Sequence, residues 1–185
     1  MANPDKPRGF IFAQTLSGAA ATGMARKLTV AARSDATGNH GDIYIGDPVK
    51  VSIGGVVTVA DSGDDIYGVA VGLGIDNIDH GPTGMYKADD LETRYLPNAT
   101  AGFAWVIPKE DALFEIQSAS DLDLTVGAEA DVTTTAATAH GSQTTSFSSC
   151  EVTTKANADV TVVTIVDSPD NDSTLANTRY IVQIN

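Results

Sequence analysis

Val49-Lys50-Val51-Ser52-Ile53-Gly54-Gly55-Val56-Val57-Thr58-Val59 decides the fold class. Val49, Val51 and Ile53 alternate with Lys50 and Ser52, the period of two expected of a strand with one covered face. Gly54-Gly55 is a two-residue hairpin signal, and Val56–Val59 is the return strand. The same grammar repeats on either side. Towards the amino terminus lie Lys27–Ala31 and Ile43–Ile45, the second followed by the turn Gly46-Asp47-Pro48. Towards the carboxyl terminus lie Ile66–Val71, Thr93–Leu96, Ala104–Ile107 and Ala112–Ile116, with Pro97 and Pro108 placing bends between them. Val160–Val166 is the segment richest in β-branched residues, and Arg179–Ile184 alternates to the end of the chain. No long stretch has 3.6-residue amphipathy, although Ala21–Ala32 or Asp89–Tyr95 has room for a helical turn. Short strands between Gly, Pro and Asp turns predict an all-β protein, a sandwich or barrel-like body.

Two regions resist this grammar. Residues 1–25 read as an extended amino-terminal arm, because Pro4 and Pro7 oppose helix and Gly18–Gly23 holds no large side chain. Phe10, Ile11, Phe12 and Leu16 are its apolar residues, able to insert into a partner or into the body. Residues 26–185 then form one β-rich domain. Asp131–Ala139 and Gly141–Ser146 are Thr-, Ala- and Ser-rich, and fit a loop or a flat strand equally well.

Charge is unevenly spread over the 185 residues, whose formal net charge is −13. Residues 1–33 hold five bases (Lys6, Arg8, Arg26, Lys27, Arg33) and one acid (Asp5), a net of +4. The remainder holds six bases and 23 acids, a net of −17. An acidic body repels phosphate backbones and anionic lipid, so neither nucleic acid nor a membrane is an expected partner. The basic segment either docks on something acidic or neutralises the chain's own body. No apolar run approaches the roughly 20 residues of a membrane helix, and the first residues lack the apolar core of a secretory signal. One cysteine, Cys150, excludes an internal disulfide.

Catalytic signals are sparse. His40, His80 and His140 each sit beside glycine in polar loop composition, with no Gly-x-Ser-x-Gly elbow to supply a nucleophile. Asp61/Asp64/Asp65, Asp76/Asp79 and Asp167/Asp170/Asp172 lack the order of a calcium loop and read as turn aspartates, whose carboxylates bond nearby backbone N–H groups. Gly72-Leu73-Gly74 follows a strand but has no third glycine and no helix after it, so it is not a dinucleotide fingerprint. Trp105, between Phe103 and Ile107, reads as core packing. No cofactor or metal is expected, and the protein is expected not to be an enzyme.

The phrase Asn3-Pro4-Asp5-Lys6-Pro7-Arg8-Gly9-Phe10 resembles the start of the capsid decoration, or cement, proteins of tailed bacteriophages. The resemblance continues in order through Gly23-Met-Ala-Arg-Lys27, Gly46-Asp47-Pro48-Val49, Gly68-Val69-Ala-Val-Gly72, Arg94-Tyr95, Phe114-Glu115-Ile116-Gln117 and Tyr180–Asn185. It spans almost the whole chain, each phrase being short; residues 130–160 have no counterpart, and the loop 73–92 departs from the pattern. It implies a β-rich virion protein, often a homotrimer, that binds the outer surface of the head and clamps neighbouring major capsid protein subunits. The partner-binding residues it points to are Lys6, Pro7, Arg8, Gly9, Phe10, Ile11, Phe12, Arg26 and Lys27. The alternative is a head-fibre or tail-associated attachment protein that binds host surface glycans through the acidic, Thr/Ser-rich loops.

Overall fold

A computed structural model describes residues 2–18, 23–30, 42–52, 55–75, 95–97, 100–133 and 147–185. Among them are eleven strands and no α-helix: β1 (Ile11–Thr15), β2 (Arg26–Val30), β3 (Pro48–Ser52), β4 (Val56–Val59), β5 (Gly68–Ile75), β6 (Gly102–Pro108), β7 (Ala112–Gln117), β8 (Glu129–Thr133), β9 (Glu151–Thr153), β10 (Val160–Ile165) and β11 (Arg179–Ile184). They form two antiparallel sheets, one in the order β2-β6-β5-β3-β4 and the other β1-β7-β11-β10-β8-β9. The all-β sandwich expected from the alternation is therefore the fold.

The hairpin that opened the reading is present with a shifted register. Ser52, not Ile53, pairs with Val56, and Gly55 closes the turn by donating its N–H to the Ser52 carbonyl at 3.0 Å. Ile53 and Gly54 lie outside the described residues, as do His40, His80, His140, Asp76, Asp79, residues 134–146 and almost all of the candidate turn 89–95. Of the other candidate helical turn, 26–30 form β2.

Both sheets curl. The edge strands β2 and β4 of the five-stranded sheet come together without a backbone ladder between them. Their inward side chains enclose Val30, Val49, Val57, Val59, Ala70, Ala104 and Val106, with Ile43 and Leu96 joining the same cluster. In the six-stranded sheet, β9 returns to the end of β7 through a bridge between Ser118 and Val152. That sheet's core holds Phe114, Ile116, Val132, Val152, Val160, Val162, Tyr180 and Val182. Ala60, Ile66, Val69 and Ile107 of the other half reach into it, so one apolar layer joins the two sheets. The chain crosses between sheets where Pro108 ends β6 and a 3-10 turn, Lys109–Asp111, leads into β7.

The extended leader is laid against the body. Asn3 is buried, its amide donating to the carbonyls of Asp172 (2.9 Å) and Ala176 (3.0 Å) while its Oδ1 accepts the Asp172 N–H (2.7 Å). Residues 11–15 pair antiparallel with β7, Ile11 opposite Glu115 and Phe12 opposite Phe114. Residues 11–15 are thus the edge strand of the six-stranded sheet, with residues 2–10 leading into it. The physical reason is that β7 offers an open edge and an apolar face, and both the leader's backbone and its phenylalanines need partners.

Candidate functional site

The leader is fastened where two glycines cross. Gly9 has φ +66°, and a Cβ there would lie 2.5 Å from the Gly46 carbonyl oxygen and 2.7 Å from Ser148 Cβ. Gly46, at φ +94°, is equally tight: its Cβ would lie 2.4 Å from the Arg8 oxygen. Only glycine combines that backbone with that approach. From this crossing a chain of bonds enters the body. Phe10 N–H donates to Gly46 O (2.9 Å), Gly46 N–H to Ala70 O (2.7 Å), and Ala70 N–H to Asp47 O (2.9 Å). Phe10 is buried, its ring edge-on to Phe114 with centroids 5.9 Å apart. The phrases Gly9-Phe10, Gly46-Asp47, Val69-Ala70 and Phe114 through Gln117, dispersed in sequence, meet along this one seam.

Beside the seam is a groove of roughly 250 Å3 whose lining includes Lys6, Arg8 and Ile11 from the leader, Glu115 from β7, and Asp170 and Arg179. Arg179 is committed within it: Nη2 donates to Asp170 Oδ1 (2.6 Å) and Nη1 to Glu115 Oε1 (3.4 Å). The Ser168 hydroxyl and the Arg179 charge hold the Asp170 carboxyl below its ordinary range. Lys6 and Arg8 are different. Among the described residues no carboxylate forms an ion pair with either, and the Arg8 guanidinium lies 5.8 Å from the centre of the Phe147 ring.

The floor of the leader is set by Gln117. Its Oε1 accepts the Lys6 N–H (3.1 Å), while its Nε2 donates to Glu151 (2.9 Å) and Asp5 (3.3 Å). Burial pushes the Glu151 carboxyl up and Asp5 adds to this, while the Gln117 bond opposes it.

The nine residues expected to bind a partner therefore divide. Gly9 and Phe10 hold the fold; Phe10 is sequestered in the core and has no surface to offer a partner. Phe12 is half-buried, 6.3 Å and edge-on from Phe114. Pro7 is half-buried too, while Lys6, Arg8 and Ile11 are exposed along the leader. Arg26 and Lys27 stand apart on β2 of the other sheet. Arg26 donates to the Tyr67 hydroxyl (3.0 Å), and the Lys27 ammonium sits 3.9 Å above the Phe103 ring centre.

Trp105 is a correction. It is 37% exposed, not core, whereas its neighbours Ala104 and Val106 are fully buried. Alternation along β6 puts Trp105 on the opposite face from them, and whether anything covers that face is a tertiary fact. The two acidic clusters among the described residues do turn chemistry. Asp64 Oδ2 accepts the Asp61 N–H (2.7 Å) and pairs with Lys50 (2.5 Å); Asp172 Oδ1 accepts the Thr174 N–H (3.0 Å) and hydroxyl (2.7 Å). Cys150 is fully buried and burial pushes its thiol well up, which leaves it a poor nucleophile.

Comparison of the chain with protein-family models, with curated proteins and with solved structures finds no match in any of the three.

Proposed function

We propose that this protein is a non-enzymatic capsid cement protein. It binds the outer surface of a phage head as a homo-oligomer, a trimer by the resemblance, and braces neighbouring major capsid protein subunits. The observation that carries the reading is the convergence of the resembling phrases. Gly9-Phe10, Gly46-Asp47, Val69-Ala70 and Phe114–Gln117, from four of the seven resembling phrases, lie along one bonded seam, and that juxtaposition supports the reading.

The seam also changes how docking works. A leader already ordered on its own body presents Lys6, Arg8 and Ile11 with no backbone ordering cost at the moment of binding. β1 is an edge strand, and an extended partner segment can add to such an edge through backbone hydrogen bonds. Lys6 and Arg8, without an ion pair among the described residues, favour an acidic partner surface, and many copies on one lattice multiply a modest individual affinity. The test is co-sedimentation of the purified protein with isolated shells that lack it. The expected result is saturable pelleting and a higher shell melting temperature; no pelleting overturns the reading. Immunogold label confined to the tail or one vertex, instead of the whole head, replaces it with the attachment reading.

A further inference from the structure

The outer face of β5 and β6 is covered at one end and partly exposed at the other. Val69 and Ile107, a facing pair, belong to the core shared with the six-stranded sheet. Further along the same face the pairs are Gly72 with Trp105 and Gly74 with Phe103, the parity on β5 kept by an irregularity between Ala70 and Gly72. Lys27 and Thr29 of β2 extend these two rows, opposite Trp105 and Phe103.

The glycines shape this face. A Cβ on Gly74 would lie 2.3 Å from Phe103 Cε2, so the ring occupies the space where a side chain would stand. A Cβ on Gly72 would lie 3.3 Å from Trp105 Cε3. The two rings meet edge to face, centroids 4.8 Å apart, and Lys27 caps Phe103. The result is an indole braced from below and beside, yet still 37% exposed. A preorganised aromatic next to a cation that has no carboxylate among the described residues has the make-up of an interface anchor.

We infer that the Trp105–Phe103–Lys27 face is a second docking surface, whose occupant is an apolar recess rimmed by carboxylates on a shell subunit. This rests on the cement reading. Charge complementarity selects the occupant: Lys27 calls for an acid, and in a two-fold contact between copies Lys27 would meet Lys27 near the axis. β1 and the Trp105 face belong to different sheets, so one molecule grips two neighbouring subunits, which is what bracing a lattice requires.

Sedimentation isotherms on purified shells test this with wild type, Trp105→Ala, Trp105→Phe and Lys27→Glu. Trp105→Ala and Lys27→Glu should each bind at least tenfold more weakly, and Trp105→Phe, which keeps a ring over Gly72, should recover part of the loss. Because the ring also packs on Gly72 and Phe103, Trp105→Ala should lower the melting temperature by some degrees, so binding is read well below that temperature; Lys27→Glu, which keeps the ring, gives the same answer independently. Wild-type binding with both variants unimpaired overturns the second surface and leaves the cement reading standing. A wild type that never pellets overturns both.

Discussion

Placing a methyl group on Gly9 separates two costs that glycine substitutions usually confound. At φ +66° an alanine pays about 1–2 kcal/mol for the left-handed backbone alone. Gly127 supplies the control, with φ +84° and nothing within 4 Å of an added Cβ, so Gly127→Ala should cost about that much and no more. At Gly9 the methyl also meets the Gly46 carbonyl at 2.5 Å. The leader must move away, which stretches the Phe10 N–H bond to Gly46, about 1 kcal/mol. It also withdraws part of the Phe10 ring from Phe114, a fraction of the roughly 3–5 kcal/mol that a buried phenylalanine contributes. The total for Gly9→Ala is about 3–5 kcal/mol. For a chain of this size about 1 kcal/mol moves the melting temperature by roughly 2–4 °C. Thermal melts followed by circular dichroism should therefore fall by about 2–8 °C for Gly127→Ala and about 6–20 °C for Gly9→Ala. Equal shifts in the two variants would refute the close crossing and with it the docked leader.

Three further outcomes follow from the same structure. Burial alone would raise the Asp131 carboxyl, but the N–H groups of Asn157, Ala158 and Ala156 hold it below its ordinary range. Its stabilisation is therefore present above the unfolded value and is lost as pH falls through the lower folded one. Asp131→Asn should lose about 2–4 kcal/mol in urea melts at pH 7, with the gap to wild type closing in strong acid; a variant as stable as wild type at pH 7 contradicts the bonds. The Tyr44 phenol is pushed up to about 12, by burial first and then by the Asp42 charge, so its contribution holds below about pH 10 and is lost towards 12. Absorbance at 295 nm should show a phenol ionising towards pH 12, a step that Tyr44→Phe removes, and an unchanged titration in that variant counts against it. Lys6→Glu with Arg8→Glu should leave the melting temperature within about 2 °C, since neither side chain is ion-paired among the described residues, while shell pelleting drops at least tenfold; full pelleting removes the leader from the contact.

Much of the sheet was legible because alternation survives in short windows. Val49–Val59, Ala104–Ile107, Ala112–Ile116, Val160–Val166 and Arg179–Ile184 all read as strands and all contribute strands, with ends within a residue or two. β9 has too few residues to carry a period. β1 was hidden by the prolines and glycines that flank it, Pro4, Pro7, Gly9 and Gly18, and by Phe10 and Phe12, which serve a partner and a core equally well. Of the candidate binding residues, Lys6, Arg8, Arg26 and Lys27 were visible as a charge imbalance; Trp105 and Phe103 were not, since a strand's parity says which residues share a face and not what lies over it.

The amino-acid sequence by itself determined the fold class, the turns and the separation of charge, because each is written in neighbours a few residues apart. Only the tertiary structure decided that the leader closes back onto β7, that Gly9 and Gly46 touch, and that Trp105 looks outward. Those outcomes depend on segments tens of residues apart competing for one exposed edge and one apolar layer. Which segment wins is settled by shape and by unpaired backbone groups across space, quantities that a local period does not carry.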